Sequence, residues 1–292
     1  MHIMDRSKPK ILILVMSCNK PFFSHATKVI TDTWIKDVNN YNIDYYIYSG
    51  GYSTQKIDNH YIECASGDDL DSTFDKTKEV LELSNAKKYD YVIRTNTSTY
   101  INIRALNKFL CDKFVSKNRN KTVCGDISIL NDRIQLRGNS LILTNADISR
   151  ILDFKIENLP KDIENTQDDV VISYIWESNF DKNIDRTRII KDNVDFTPCV
   201  YFNDRYRVGH PLAIFDTTYN NVPVTNKYDV ICATSIFIAY RKNNDDRYSE
   251  LGEAYKIYDI LHNLYAESYV KLTKIPVYVY KIGNFEIIDL EK

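Results

Sequence analysis

Glycine is scarce in this chain, 8 of 292 residues, and none of the eight sits in a phosphate-cradling pattern. No G-x-G-x-x-G and no G-x-x-x-x-G-K-[ST] occurs, which argues against common dinucleotide dehydrogenases and P-loop enzymes. The G-x-S-x-G nucleophile elbow of many serine hydrolases is absent too. The six cysteines (18, 64, 111, 124, 199, 232) contain no C-x-x-C pair, and the five histidines (2, 25, 60, 210, 262) show no H-x-x-H or H-x-x-x-H spacing. Nothing therefore supports a structural zinc site.

Apolar runs are short, none approaching the ~20 residues of a membrane span. The start, MHIMDRSKPK, is charged and does not read as a secretory leader. The expectation is a protein without a membrane span, its thiols reduced, in the cytoplasm of a bacterial cell or a virus-infected host cell. The sequons at Asn96 and Asn120 matter only in a secretory compartment and are read as chance. A formal charge of −2 gives no reason to expect nucleic acid as a partner. The 43% hydrophobic and 27% charged fractions are those of an ordinary globular protein. Tyrosine is abundant at 22 residues, which an AT-rich genome explains as well as carbohydrate stacking does.

Strand and helix signals alternate through the first half. ILILVM (11–16) is a buried strand by its continuous apolar run, and 24–36 suits a helix with Ser24 as N-cap. Strands follow at 44–49 and 61–64, a helix over 72–88, the strand YDYVIR, and a helix over 103–114. The order βαββαβα is that of a nucleotide-binding layer, whose ligands collect at the carboxyl ends of parallel strands. Further on, QLRG and SLILT read as strands, 145–153 as a helix capped by Asn145, and 167–178 as a helix. Near the end, 231–240 reads as a strand, 247–265 as a helix, and VYVYK and FEIIDL as two closing strands. Without a repeat or an obvious linker, the expected architecture is one mixed α/β domain over 1–292. Its nucleotide-binding half would cover about 10–120 and its acceptor-binding half about 121–292.

The segment YDYVIRTNTSTYIN (89–102) runs from a buried strand into hydroxyls and an amide, at a strand end where ligands gather. Together with KILILVMSCNK, TDTWIKD, DLDSTFDKTKEVL, LRGNSLILTNADISRIL and QDDVVISYIW, in that order, it resembles the inverting GT-A glycosyltransferases of the Fringe and β-1,3-galactosyltransferase type. The matching features are Thr33-Trp34 at a helix end, Asp71-Ser72 with Lys76-Thr77, and Arg94 before the triplet Asn96-Thr97-Ser98. Tyr100-Ile101-Asn102, Gly138 to Thr144 and Asp168-Asp169-Val170 complete the match, which spans roughly residues 10–176.

The resemblance implies a GT-A-like α/β fold with a Rossmann-like half, and transfer of a sugar from a nucleotide donor, UDP-linked by expectation, to a glycan hydroxyl with inversion. It places the general base at Asp169, the second acid of its pair; capping of an apolar helix explains the same carboxylates. Asp71 would be a donor contact, or simply a helix start. Ser17 and Asn19 would touch the nucleoside, or make a plain strand-to-helix turn. Gly138 and Asn139 would line the acceptor and sugar pocket with Asp168, or make a turn before a strand. Trp34 reads as core.

One departure matters. Relatives of this type hold Mn²⁺ or Mg²⁺ on an acidic triplet, and hard cations want carboxylate oxygens. Asn96, Thr97 and Ser98 offer none, so the expectation is donor binding through hydroxyls and an amide, with no cofactor and no metal at the triplet. The leaving diphosphate still needs positive charge. Arg94 and the trio Arg241, Lys242 and Arg247, expected in a loop after the strand 231–240, could supply it. A solvated loop is the plain alternative for the trio. A catalytically inactive glycan-binding or assembly module is the rival to an enzyme, since loss of the acidic triplet suits it.

Overall fold

The computed structural model describes residues 8–115, 122–123, 127–130, 133–136, 138, 141–163 and 166–180, with the strand backbones of 194–195, 199–203 and 239–243. It is an α/β structure built on a mixed six-stranded sheet. Ile11–Met16 forms β1, Ile43–Ser49 β2, Lys56–Asp58 β3, Tyr61–Glu63 β4, Tyr91–Asn96 β5 and Thr99–Ile101 β6. Thr122–Val123 is β7, Ile127–Leu130 β8, Arg133–Leu136 β9 and Leu141–Thr144 β10; Val194–Asp195, Cys199–Asn203 and Ala239–Asn243 are β11, β12 and β13. The α-helices are Pro21–Asp32 (α1), Thr73–Leu83 (α2), Ile103–Val115 (α3), Asn145–Asp153 (α4) and Asp168–Glu177 (α5).

The large sheet runs β10-β5-β1-β2-β4-β3. β1 is parallel to β2 and β5, and β2 to β4, while β10 and β3 are antiparallel borders. Counted as parallel strands in chain order, the four lie third, second, first, fourth. The chain therefore reverses its direction of travel between β1 and β5, and such a reversal opens a crevice beyond the two carboxyl ends.

Why these strands lie in the middle follows from their residues. All six of β1 are buried, and successive side chains face opposite layers. Ile11, Ile13 and Val15 pack with Ala26 and Ile30 of α1, Trp34, and Leu106 and Leu110 of α3. Leu12, Leu14 and Met16 pack with Phe74 and Val80 of α2, Ile148 and Ile151 of α4, and Val171, Ile172 and Trp176 of α5. Each such residue, fully buried, contributes about 1.5–3 kcal/mol.

Local chemistry moves several boundaries away from the sequence reading. α1 starts at Pro21, not at Ser24, because proline's fixed φ and missing N–H suit the first helical position. It ends at Asp32 and tightens into a 3₁₀ turn over Trp34–Asn40. Trp34 is fully buried, and its indole donates to the Thr99 carbonyl at 3.1 Å, tying the end of α1 to β6. The cap of α4 is Thr144 rather than Asn145. Thr144 and Asp147 form a reciprocal capping box, the Thr144 amide donating to Asp147 Oδ2 at 2.9 Å. Several strands have no counterpart in the sequence reading, among them β3, three exposed residues, and β8, which pairs with β9. Among the described residues no helix is long and apolar enough to cross a membrane.

Candidate functional site

The carboxyl ends of β1 and β5, where such a reversal favours ligand binding, carry Met16–Ser17 on one side and Asn96–Thr97 on the other. The Thr97 amide donates to the Met16 carbonyl at 3.1 Å, and the Ser17 amide to the Tyr48 carbonyl at 2.7 Å. Ser17 is buried; its hydroxyl lies 3.3 Å from that of Thr27.

Along β5, Tyr91 and Ile93 face the α1/α3 layer, so Arg94 lies on the face of Val92, toward α2 and α5. There it meets Asp168, the first residue of α5. Nε lies 2.7 Å from Asp168 Oδ2, and Nη2 donates to Oδ1 at 2.7 Å. Asp168 Oδ2 also accepts from the Thr77 hydroxyl at 2.8 Å, Oδ1 from the Asp169 amide at 2.9 Å, and the Asp168 amide donates to Thr73 Oγ1 at 3.0 Å. The Thr77 hydroxyl lies 3.2 Å from that of Tyr48. Burial alone would lower the Arg94 guanidinium; the Asp168 carboxylate beside it, together with Tyr48 and Asp169, more than offsets this. Burial pushes the Asp168 carboxyl up, against the pull of the Arg94 charge and the Thr77 hydroxyl.

Gly138 closes the group. Its carbonyl accepts from Arg94 Nη1 and, at 3.2 Å, from Asn96 Nδ2. Its amide donates to Asp169 Oδ2 at 3.3 Å. A Cβ there would stand 2.5 Å from Arg94 Nη1, so only glycine lets the turn approach the guanidinium. Arg94, Asn96, Gly138, Asp168 and Asp169 thus form one connected cluster. Thr97 joins it through Met16, whose sulfur lies 3.2 Å from Arg94 Nη2.

The triplet is an organised turn. Asn96 Oδ1 accepts from the Ser98 amide at 3.2 Å, the Ser98 hydroxyl at 2.6 Å and the Thr99 hydroxyl at 3.0 Å. Thr97 is buried. This donor set does not fit a hard divalent cation, having no carboxylate and its amide oxygen already engaged. Among the described residues no group of three His, Cys, Asp or Glu side chains is arranged to hold a metal.

A second set of contacts escaped the sequence reading. Asp68 Oδ1 accepts from buried Lys76 at 2.6 Å and from the Gly50 amide at 3.0 Å; Oδ2 accepts from the Asn19 amide. Lys76 also donates to the Ser17 carbonyl at 3.2 Å. One carboxylate thereby ties the loops after β1 and β2 to α2. Gly50 permits this packing, since a Cβ there would lie 2.3 Å from the Gly67 carbonyl oxygen. The signal for Lys76 was present, four residues before buried Val80 and therefore on the inner face of the helix. Nothing in D-D-L-D marked Asp68 over its neighbours. Asp71 is exposed, apart from the cluster, its carbonyl accepting from Thr166 at 3.2 Å.

Arg241 and Lys242 stand within β13, not in a loop beyond a strand ending at 240, because pairing with β12 carries the strand through both and pairing with β6 reaches Arg241. β13 runs parallel to β12 and antiparallel to β6, with Arg241 opposite Thr99. Asn139, Arg247, the start of the expected strand at 231–238, the helix at 247–265 and the two closing strands lie outside the described residues.

Burial pushes the Cys18 thiol above its ordinary value and that of Cys64 up to about 12. Neither is a thiolate nucleophile at neutral pH. No protein-family model and no curated protein matches the chain.

Proposed function

We propose that this protein is an inverting glycosyltransferase that moves a sugar from a nucleotide donor, UDP-linked by preference, to a hydroxyl of a glycan acceptor. One observation carries the reading. Arg94, Asn96, Gly138, Asp168 and Asp169, distant in sequence, meet at the carboxyl ends of β5 and β1, beside the strand-order reversal where α/β sheets bind ligands.

In this account Asp169 takes the proton of the acceptor hydroxyl. The oxygen attacks the anomeric carbon from the face opposite the leaving group. The bond from that carbon to the diphosphate oxygen breaks, and its electron pair leaves with the nucleoside diphosphate. The Arg94 charge is met by Asp168, so we assign neutralisation of the diphosphate to the cations of the 241–247 segment. The pairing of Arg241 with Thr99 brings Arg241 beside the triplet. No step is routed through a metal, because the triplet's donors do not suit one. Ser17, Asn19, Thr97 and Ser98 would contact the donor; Asp71 would stand at its rim, and Gly138 and Asn139 on the sugar side.

The competing reading is an inactive relative that retains the fold as a glycan-binding or assembly module. It is favoured by the use of Asn96 Oδ1 to fold its own turn. Incubation with a panel of nucleotide sugars, following nucleotide release with and without EDTA, separates the two. We expect release that EDTA leaves unchanged. Abolition by EDTA contradicts the metal-free mechanism, donor binding without turnover supports the inactive module, and no donor binding by calorimetry removes the transferase reading.

A further inference from the structure

We infer that Asn96 is a positioning residue for Asp169, acting through the backbone of Gly138, and not a metal-ligand position that has lost its acid. The inference rests on the transferase reading of this site.

The Asn96 side chain has two ends with separate tasks. Its oxygen folds the turn between β5 and β6 by accepting from Ser98 and Thr99. Its nitrogen donates across to the Gly138 carbonyl at 3.2 Å. The amide of that same glycine donates to Asp169 Oδ2 at 3.3 Å. The glycine is thus gripped by its carbonyl and presents its N–H to the carboxylate proposed to accept the proton. Arg94 Nη1 on the same carbonyl adds to the hold.

This arrangement explains the chemistry of position 96. An aspartate would keep the oxygen that folds the turn, but it would set a second oxygen against the Gly138 carbonyl oxygen. It would also add negative charge beside Asp168 and Asp169. A neutral amide, with one acceptor and one donor end, meets both demands. The acid that would complete a metal-binding triplet is therefore incompatible with the hold on Asp169.

Asn96→Asp is the direct test, since it removes the donor end and keeps the oxygen that folds the turn. With a nucleotide sugar and acceptor, we expect kcat to fall roughly a hundredfold, the scale on which small misplacement of a reacting group acts. The donor KM should remain at the wild-type value, and Mn²⁺ or Mg²⁺ should restore nothing. Gly138→Ala breaks the same link from its other side, because the new Cβ meets Arg94 Nη1 at 2.5 Å and Asp169 Oδ2 at 3.3 Å. It should lower kcat in the same way. Recovery of Asn96→Asp by Mn²⁺, or weaker donor binding at unchanged kcat, overturns the inference. Amide hydrogen exchange at Gly138 gives a reading that needs no turnover, with faster exchange expected in Asn96→Asp. If the wild-type protein transfers no sugar, the transferase reading falls by itself. Exchange at Gly138 then still reports whether Asn96 holds it, and an unchanged rate overturns the link.

Discussion

Arg94 and Asp168 form a buried, two-point ion pair between β5 and α5, with contacts of 2.7 Å at Nε and Nη2 and side chains only 6% and 3% exposed. The pair fixes the start of α5 against the end of the central strand, and with it the place of Asp169. Removing one partner of such a pair leaves the other charged and buried, which costs about 3–5 kcal/mol. Arg94→Ala is expected to lower unfolding free energy by that amount in urea titration. The double substitution Arg94→Met with Asp168→Leu should cost less than the two single changes added, because no orphan charge remains. Strict additivity would contradict the pairing.

A pH dependence follows from Glu79 of α2. Its carboxylate accepts from the Ala65 amide at 2.7 Å, the Ser66 amide at 2.8 Å and the Gln55 side chain at 2.7 Å, and also from the Ser66 hydroxyl. Burial alone would raise this carboxyl; the Ser66 and Ala65 donors outweigh it and hold it below the ordinary range. A folded value below the unfolded one stabilises the protein above the unfolded value, about 4.3 for glutamate. That contribution is lost as pH falls through the folded value. Glu79→Gln should therefore lower Tm at neutral pH, and the gap to wild type should narrow as pH drops below about 4.3. A gap that stays constant into acid would contradict the assignment.

The N-terminus of α4 offers a cleaner local comparison. Thr144 is the cap and Asn145 the first helical residue, exposed. Thr144→Ala should cost about 0.5–2 kcal/mol, whereas Asn145→Ala should change stability little. Equal losses at the two positions in thermal unfolding would place the cap incorrectly.

These cases also mark what could be read without coordinates. β1 was legible because a strand buried on both faces announces itself as an unbroken apolar run, and β5 from the shorter run Tyr91-Val92-Ile93 at its start. α5 was legible from its acidic start and apolar body. The cap of α4 was misplaced by one residue because Thr144 and Asn145 are both good caps. Only the reciprocal bond with Asp147 distinguishes them. β3 gave no signal, being three polar-flanked residues on a sheet edge. The triplet's position at a strand end was visible, but its use was not. Whether Asn96 faces a metal, a phosphate or Gly138 depends on a turn far along the chain. Likewise, Arg94 looked like a free cation, since no local pattern reveals that Asp168 lies against it.

Central to the account is that Asp169 takes a proton from an acceptor hydroxyl while donor binding is left to other residues. Asp169→Asn keeps the shape and an oxygen for the Gly138 amide but removes the base. Sugar transfer should fall by about 10²–10⁴-fold, the range typical of a lost general base, while calorimetric affinity for the nucleotide donor stays at the wild-type value. Unchanged transfer by Asp169→Asn would contradict the account at its centre.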